Sequence, residues 1–206
     1  MKFDMHVHTT LSPCSQLDLS ELLKTASGRG LDGVCVTDHD TMALKQTVTE
    51  GRQADGLCLI IGMEYTTSEG DFLLFGPFEG LAPGLEASRL LRLVDERGGA
   101  AVAAHPFRRG RTTREYLIRD GLCNIVEGIN GRNRAGENRR TAVWHDQYGV
   151  GLIGGSDAHS AMELGRSTTV FNVPIQSSAD MVKALKSGEF TMTGSVTQET
   201  DLCTDS

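Results

Sequence analysis

Apolar and polar positions change period again and again along this chain. Residues 2–7 carry a strand pattern. Asp18 then stands at a helix start, with Glu21 three positions on as its capping-box partner. Leu19, Leu22, Leu23 and Ala26 form the apolar stripe of that helix, and Gly28 and Gly30 end it. GVCVT (33–37) reads as a short buried strand, and a helix is expected over roughly 41–54. LCLIIGMEYTT (57–67) is a second apolar strand, and DFLLFG (71–76) its hairpin partner. Helix 86–97 and strand AAVAA (100–104) follow, then a basic loop, a short helix and strand NIVEGIN (124–130). Helix 134–148 leads to strand GLIGGS (151–156), and STTVFN (167–172), a helix at 178–187 and FTMTG (190–194) complete the series. The last stretch, 195–206, is polar and reads as a frayed tail.

Strands alternating with helices imply parallel pairing through right-handed crossovers. Residues 1–194 carry enough such units for one α/β domain, a small barrel fitting better than an open doubly wound sheet. GRGLDG (28–33) matches a dinucleotide fingerprint only in letters, because its glycines close a helix and precede a strand.

Composition narrows the classes. With 39% hydrophobic and 23% charged residues the 206-residue chain has an ordinary globular balance. A net charge of -7 argues against stable nucleic-acid binding, and 5% aromatic content argues against a stacking platform for single strands. The cysteines, at 14, 35, 58, 123 and 203, are odd in number and contain no Cys-x-x-Cys pair, as expected of free thiols in a reducing compartment. No leader-like segment precedes the first strand and no apolar run approaches membrane-spanning length, so a cytoplasmic location is expected.

The polar residues at the strand ends carry the chemistry. MHVHTT supplies His6 and His8, which lie on one side of a strand because residues i and i+2 point the same way. TDHD supplies His39, GMEYTT supplies Glu64, AAHPF supplies His105, and GGSDAH supplies Asp157 and His159. Five of the six histidines therefore sit at strand ends, while His145 lies within a helical stretch and reads as structural. In a parallel barrel these ends meet on one face, where active sites are built. Histidines and carboxylates without a cysteine framework suit divalent Zn, Mn or Fe, and so many donors suggest two or three ions.

The ordered set HVH, TDHD, a strand-ending Glu, AHP and SDAH resembles the PHP (polymerase and histidinol phosphatase) family over roughly residues 1–194. The resemblance implies a distorted seven-stranded (β/α) barrel, TIM-barrel-like, with a metal cluster at the C-terminal ends of the strands. It implies a free-standing phosphoesterase in which His6, His8, Glu64 and Asp157 surround a first metal. Glu64 would bridge to a second, shared with His105, and His39 and His159 would hold a third. The chain departs from many relatives at SPCS, where Cys14 is offered as a ligand, and at GDF, where Asp71 is. After VEGIN it has Asn130, Arg132 and Asn133 where some relatives have a histidine.

The reaction expected is metal-dependent hydrolysis of a small phosphomonoester by an activated water, with Asp157, His159 or His39 assisting proton transfer. Arg108, Arg109, Arg111 and Arg166 are candidates for holding the phosphate, since guanidinium groups bind it bidentately. A phosphodiesterase or exonuclease using the same metals, a non-catalytic metal-binding module and C–N bond hydrolysis on the same barrel are the alternatives.

Overall fold

Eleven strands and six α-helices are assigned in the computed structural model, which describes residues 1–194; the expected tail at 195–206 lies outside the described residues. The strands are β1 (Lys2–Val7), β2 (Gly33–Val36), β3 (Gly51–Arg52), β4 (Cys58–Ile61), β5 (Met63–Thr67), β6 (Gly70–Phe75), β7 (Ala100–Ala104), β8 (Ile125–Asn130), β9 (Gly151–Gly155), β10 (Thr169–Phe171) and β11 (Phe190–Met192). The helices are α1 (Leu19–Gly28), α2 (Ala87–Glu96), α3 (Tyr116–Arg119), α4 (Ala135–Arg139), α5 (Thr141–Tyr148) and α6 (Ser178–Ser187).

Most elements form where the hydrophobic period places them. Asp18 caps α1 by accepting the amide of Glu21 at 2.9 Å, and Leu22 and Ala26 are buried on its inner face. The expected helix at 41–54 does not form. That stretch holds a single 3₁₀ turn (Ala43–Gln46) and the two-residue β3. The reason is local: its N-cap, Met42, supplies no side-chain acceptor, β-branched Thr47, Val48 and Thr49 disfavour helix, and Gly51 takes a positive φ of 104°. The expected helix at 134–148 is two helices, meeting at Arg140.

The fold is mixed α/β, built on two sheets. One runs β11-β10-β1-β2-β4-β3 and the other β5-β6-β7-β8-β9. Pairing is parallel among β1, β2 and β4 and among β7, β8 and β9; the hairpin β5–β6 and the pairs β6–β7, β1–β10, β10–β11 and β3–β4 are antiparallel. Where a distorted seven-stranded barrel is expected, the described residues form two sheets whose ladders do not join into a closed one. Two features break the ladder. The run 57–67 bends at Gly62, so β4 belongs to one sheet and β5 to the other. On the opposite side β9 and β1 lie side by side without a ladder, and the segment after β9 makes the isolated parallel bridge Val7↔Ala158. A matching bridge, His39↔Glu64, spans the first seam.

Two apolar cores follow from this layout. One, including Val34, Leu59, Tyr65, Phe72 and Val126, is covered by α1, α2 and α5. The other, with Phe3, Ile60, Phe75, Val102 and Ile153, is covered by α6. Among the described residues no helix is long and apolar enough to cross a membrane.

Gly62 is the tightest point of the bend: a Cβ there would lie 2.5 Å from the Leu74 carbonyl oxygen and 3.1 Å from the Phe75 ring. Gly62→Ala is expected to lower the unfolding free energy by about 2 kcal/mol, the scale of overpacking a rigid site. A chemical denaturation midpoint that does not move would refute this.

Candidate metal centre

Both seams between the sheets open onto the same place. β1 carries His6 within it and His8 just past its end. The turn after β2 carries His39, and Glu64 is the second residue of β5, just beyond the bend. His105 follows β7, and Asp157 and His159 follow β9. His6, His8, Glu64, His105 and Asp157 are buried. Three groups of donor atoms close enough to share a cation result: His6, His8 and Asp157; His8, His39 and His159; and Glu64, Asp71 and His105.

Glu64 stands at the centre. Its Oε2 lies 3.0 Å from His39 Nδ1, 3.3 Å from His8 Nε2 and 3.4 Å from His6 Nε2, while Oε1 lies 2.8 Å from His105 Nε2. Asp157 Oδ1 faces the same imidazoles from the other side, 3.3 Å from His8 Nε2 and 3.6 Å from His6 Nε2.

Proton accounting tests whether these residues fit a cation. His6 Nδ1 donates to Glu127 Oε1 at 2.9 Å, which leaves Nε2 as a lone pair. His8 Nδ1 faces Ser12 Oγ at 3.3 Å, and that hydroxyl already donates to Asp38 Oδ1 at 2.6 Å. It accepts from His8, so His8 Nε2 is also bare. The two Nε2 atoms are 3.0 Å apart. His159 Nδ1 donates to the Asp157 carbonyl at 2.8 Å and exposes a third bare nitrogen toward His8 and His39. With these rings neutral, lone pairs and two carboxylates converge in a buried space, an arrangement that a divalent cation, or a proton taken up by His6, satisfies. His105 Nδ1, buried without a hydrogen-bond partner, lies in the same region, and His39 Nδ1 and Asp71 Oδ2 have charged neighbours there but no well-aligned hydrogen bond.

The electrostatics point the same way. Burial opposes charge on His6, but the carboxylates of Glu127, Asp157 and Glu64 outweigh it and raise its pKa well above the usual value. Burial likewise opposes ionisation of Glu64 and Asp157, yet the facing histidines hold both well below the carboxylate range. His159 is the exception: burial and the neighbouring His8 depress it to about 4, leaving it neutral. Asp71 is raised, by burial and then by the charge of Glu64.

A supporting layer holds these groups: Asp38 and Glu127 stand among the polar residues at strand ends, while Asp4 lies within β1 and carries no such signal. Glu127 takes His6 Nδ1 and the His105 backbone amide, the latter at 2.7 Å. Asp4, buried on β1 and raised by that burial to about 6, accepts the amides of Ser156 (2.8 Å) and Gly165 (2.7 Å), pinning the loop that carries Asp157. Asp38 accepts Thr9 and Ser12 and fixes the loop after His8. Gly155 leaves no room for a side chain, since its Cβ would lie 2.5 Å from Glu127 Oε1 and 2.6 Å from His6 Cβ. The alternation of strand β8 signals Glu127 as an inward residue, but its hydrogen bonds are visible only in three dimensions. Among the described residues only three besides glycine have positive φ: Asp40, His105 and Asp157. Two of them supply donor atoms to the groups above, the pattern of backbone strain held at a working site.

The remaining expected residues divide. Asp71 joins Glu64 and His105. Arg108 reaches the cluster, with Nη2 2.7 Å from Asp157 Oδ2. Arg111 pairs through Nε with Asp71 Oδ2 at 3.0 Å. Arg109 and Arg166 are exposed and make no side-chain bond to the cluster. Cys14 is exposed and joins none of the three groups. Ser12 and Ser15 are the residues of that loop turned inward, Ser15 Oγ donating to the His8 carbonyl at 2.8 Å. His145 is structural, its Nδ1 bonding the Val150 carbonyl at 2.7 Å.

Residues 135–190 match a family model described as PHP-associated. The chain is 30% identical over 117 residues to MJ1587, an uncharacterized protein of Methanocaldococcus jannaschii, covering 52% of this chain and 68% of that one. PsfC from Pseudomonas syringae superposes with a TM-score of 0.71 at 23% identity, over 88% of this chain and 87% of that one. A two-domain Bacteroides vulgatus protein containing a predicted PHP-like metal-dependent phosphoesterase gives 0.67 at 20%, over 93% and 64%. The lesion-specific endonuclease PfuEndoQ from Pyrococcus furiosus gives 0.65 at 17%, over 93% of this chain and 57% of that one. The chain thus spans a little over half the endonuclease, and these likenesses are likenesses of fold.

Glu127→Ala frees the His6 ring and the His105 amide together. Affinity for Zn or Mn is expected to fall about 10- to 100-fold, as when a histidine ligand loses its orienting carboxylate. Equilibrium dialysis of stripped protein measures it, and unchanged affinity would remove Glu127 from the supporting layer.

Proposed function

The chain belongs to the PHP family, and we propose that it is a metal-dependent hydrolase that cleaves a small phosphomonoester. The observation that carries this reading is Glu64, a buried carboxylate facing three imidazoles with one oxygen and a fourth with the other. One bridging carboxylate between two sets of donors suits a cluster of two or three Zn, Mn or Fe ions. His6, His8 and Asp157 would hold one, Glu64, Asp71 and His105 a second, and His39 with His159 and the shared His8 a third. Bound there, the cations would acidify a water and offset charge on the phosphoryl oxygens.

The chain's own residues do the rest. Arg108 lies beside Asp157 at the rim and is partly exposed, where it meets an incoming phosphate. Asp157 Oδ1 faces the imidazoles and Oδ2 the guanidinium, so the carboxylate sits between the cluster and the substrate's position. Neutral His159 offers a lone pair and no proton, which suits a ligand or a base. His39, with 23% of its side chain exposed, is the most open imidazole of the set and would hand a proton to the leaving alkoxide when it is not holding the third cation.

A second reading, phosphodiester cleavage in a nucleotide or oligonucleotide, is favoured by one observation. Residues 105–140 carry nine arginines against four carboxylates, in a chain whose net charge is -7. Arg109, Arg111, Arg114, Arg132, Arg134, Arg139 and Arg140 are exposed. Local charge of this kind attracts polyanions despite an acidic total.

The test is hydrolysis of p-nitrophenyl phosphate beside bis(p-nitrophenyl) phosphate by protein stripped and reloaded with Mn, Zn or Fe. Metal-dependent monoester turnover is expected. Asp157→Ala and His8→Ala are each expected to lower kcat/KM at least roughly a hundredfold, the scale of losing one group that stabilises the transition state. Turnover of the diester alone would replace the monoester reading, and failure to bind any divalent metal would overturn both.

A further inference from the structure

Resting on the phosphoesterase reading, we propose that Asn130, Asn133 and Asn138 form a positioning frame that presets the Arg108 guanidinium for a phosphoryl oxygen. Arg108 is held at three points. Its Nη2 donates to Asp157 Oδ2 and to Asn130 Oδ1, each at 2.7 Å, and its Nε donates to Asn133 Oδ1 at 2.9 Å. The side chain is nevertheless 21% exposed, so one edge of the guanidinium stays open to a ligand.

The acceptors are themselves fixed. Asn130 is buried, and its Nδ2 donates to Glu127 Oε2 at 2.9 Å and to Asp157 Oδ2 at 3.3 Å. Its Oδ1 also takes the Arg132 amide at 2.9 Å. Asn138, on α4, brackets Asn130 from behind, its Oδ1 accepting the Asn130 amide and its Nδ2 donating to the Asn130 carbonyl, both at 3.1 Å. The same Oδ1 accepts Asn133 Nδ2 at 3.0 Å. That bond fixes the Asn133 amide plane, so Asn133 Oδ1 faces Arg108. The result is a chain of hydrogen-bonded amides running from α4 to the guanidinium.

Two consequences follow. Asp157 gives one oxygen to Arg108 and Asn130 and keeps the other for the imidazole side, so the frame also sets which oxygen a cation meets. And Arg108 loses little conformational freedom on meeting a phosphate, because the frame has already ordered it. Asn133 contacts none of the candidate ligands, which makes it the place to separate positioning from metal binding.

The experiment has two arms. In the first, the Arg108 Nε–H signal, identified by its loss in Arg108→Lys, is followed by ¹H–¹⁵N NMR in metal-loaded protein. A slowly exchanging signal is expected in the parent and a fast-exchanging one in Asn133→Ala; fast exchange in the parent would overturn the frame. In the second, kinetics on p-nitrophenyl phosphate are expected to show a rise of about tenfold in KM and in the Ki of inorganic phosphate for Asn133→Ala, the scale of one hydrogen bond to a charged group. Metal stoichiometry and the cobalt absorption spectrum are expected to stay as in the parent. In an Arg108→Ala background, Asn133→Ala is expected to add nothing. An additive effect, or a changed cobalt spectrum, would overturn the assignment. Absence of turnover in the parent would count against the phosphoesterase reading, while the NMR arm still decides the frame.

Discussion

A buried space in which nitrogen lone pairs and carboxylate oxygens face one another is the constraint around which this molecule is arranged. Glu64 and Asp157 confront His6 and His8 from two sides, and in its neutral form each imidazole presents a lone pair to them. In an interior of low dielectric such a set is costly without positive charge. The raised pKa of His6 and the depressed pKa values of Glu64 and Asp157 express the same demand. A divalent cation answers it more completely than any single proton.

The two sheets meet where that demand lies. The bend at Gly62 turns Glu64 toward the histidines of β1, and the bridge between Val7 and Ala158 brings Asp157 beside them. Neither seam carries a full ladder of hydrogen bonds. Side chains and amides take over there: Asp4 holds the Asp157 loop, Asp38 the loop after His8, and Glu127 joins His6 to the start of the His105 turn. The positive φ values of His105 and Asp157 persist because these contacts over-determine the backbone around them.

Around this core the charge pattern reverses. The loop after His105 and the segment after β8 bear arginines, and Glu137 ties the two by accepting the amides of Arg109 and Arg134. Arg108 is drawn into the cluster by Asp157 and the asparagines, and Arg111 pairs with Asp71 at its edge. The rim is thus selective in what it orders: Arg108 is held at three points, Arg111 at one, and Arg109 and Arg166 stay in solvent.

Much of this was legible in the residue order. Apolar period placed β1, α1, β7, β8, β9 and α6, because burial on one face demands that spacing whatever the surroundings. The pairing of His6 with His8, and the recurrence of His, Asp and Glu at strand ends, pointed to one polar cluster. What tertiary structure decided was of another kind. The stretch at 41–54 lost its helix to weak local preferences and Gly51. The apolar run at 57–67 divided at Gly62 between two sheets, and that glycine lies too close to Leu74 and Phe75 to carry a side chain. Cys14 turned outward while Ser12 and Ser15 turned in, and Glu127, Asp4 and Asn138 acquired roles through partners far away in the chain. Local pattern reports the energy of burying a face, which each segment carries within it. Which atoms then share a proton or a cation depends on distances between segments, and those exist only once the chain has folded.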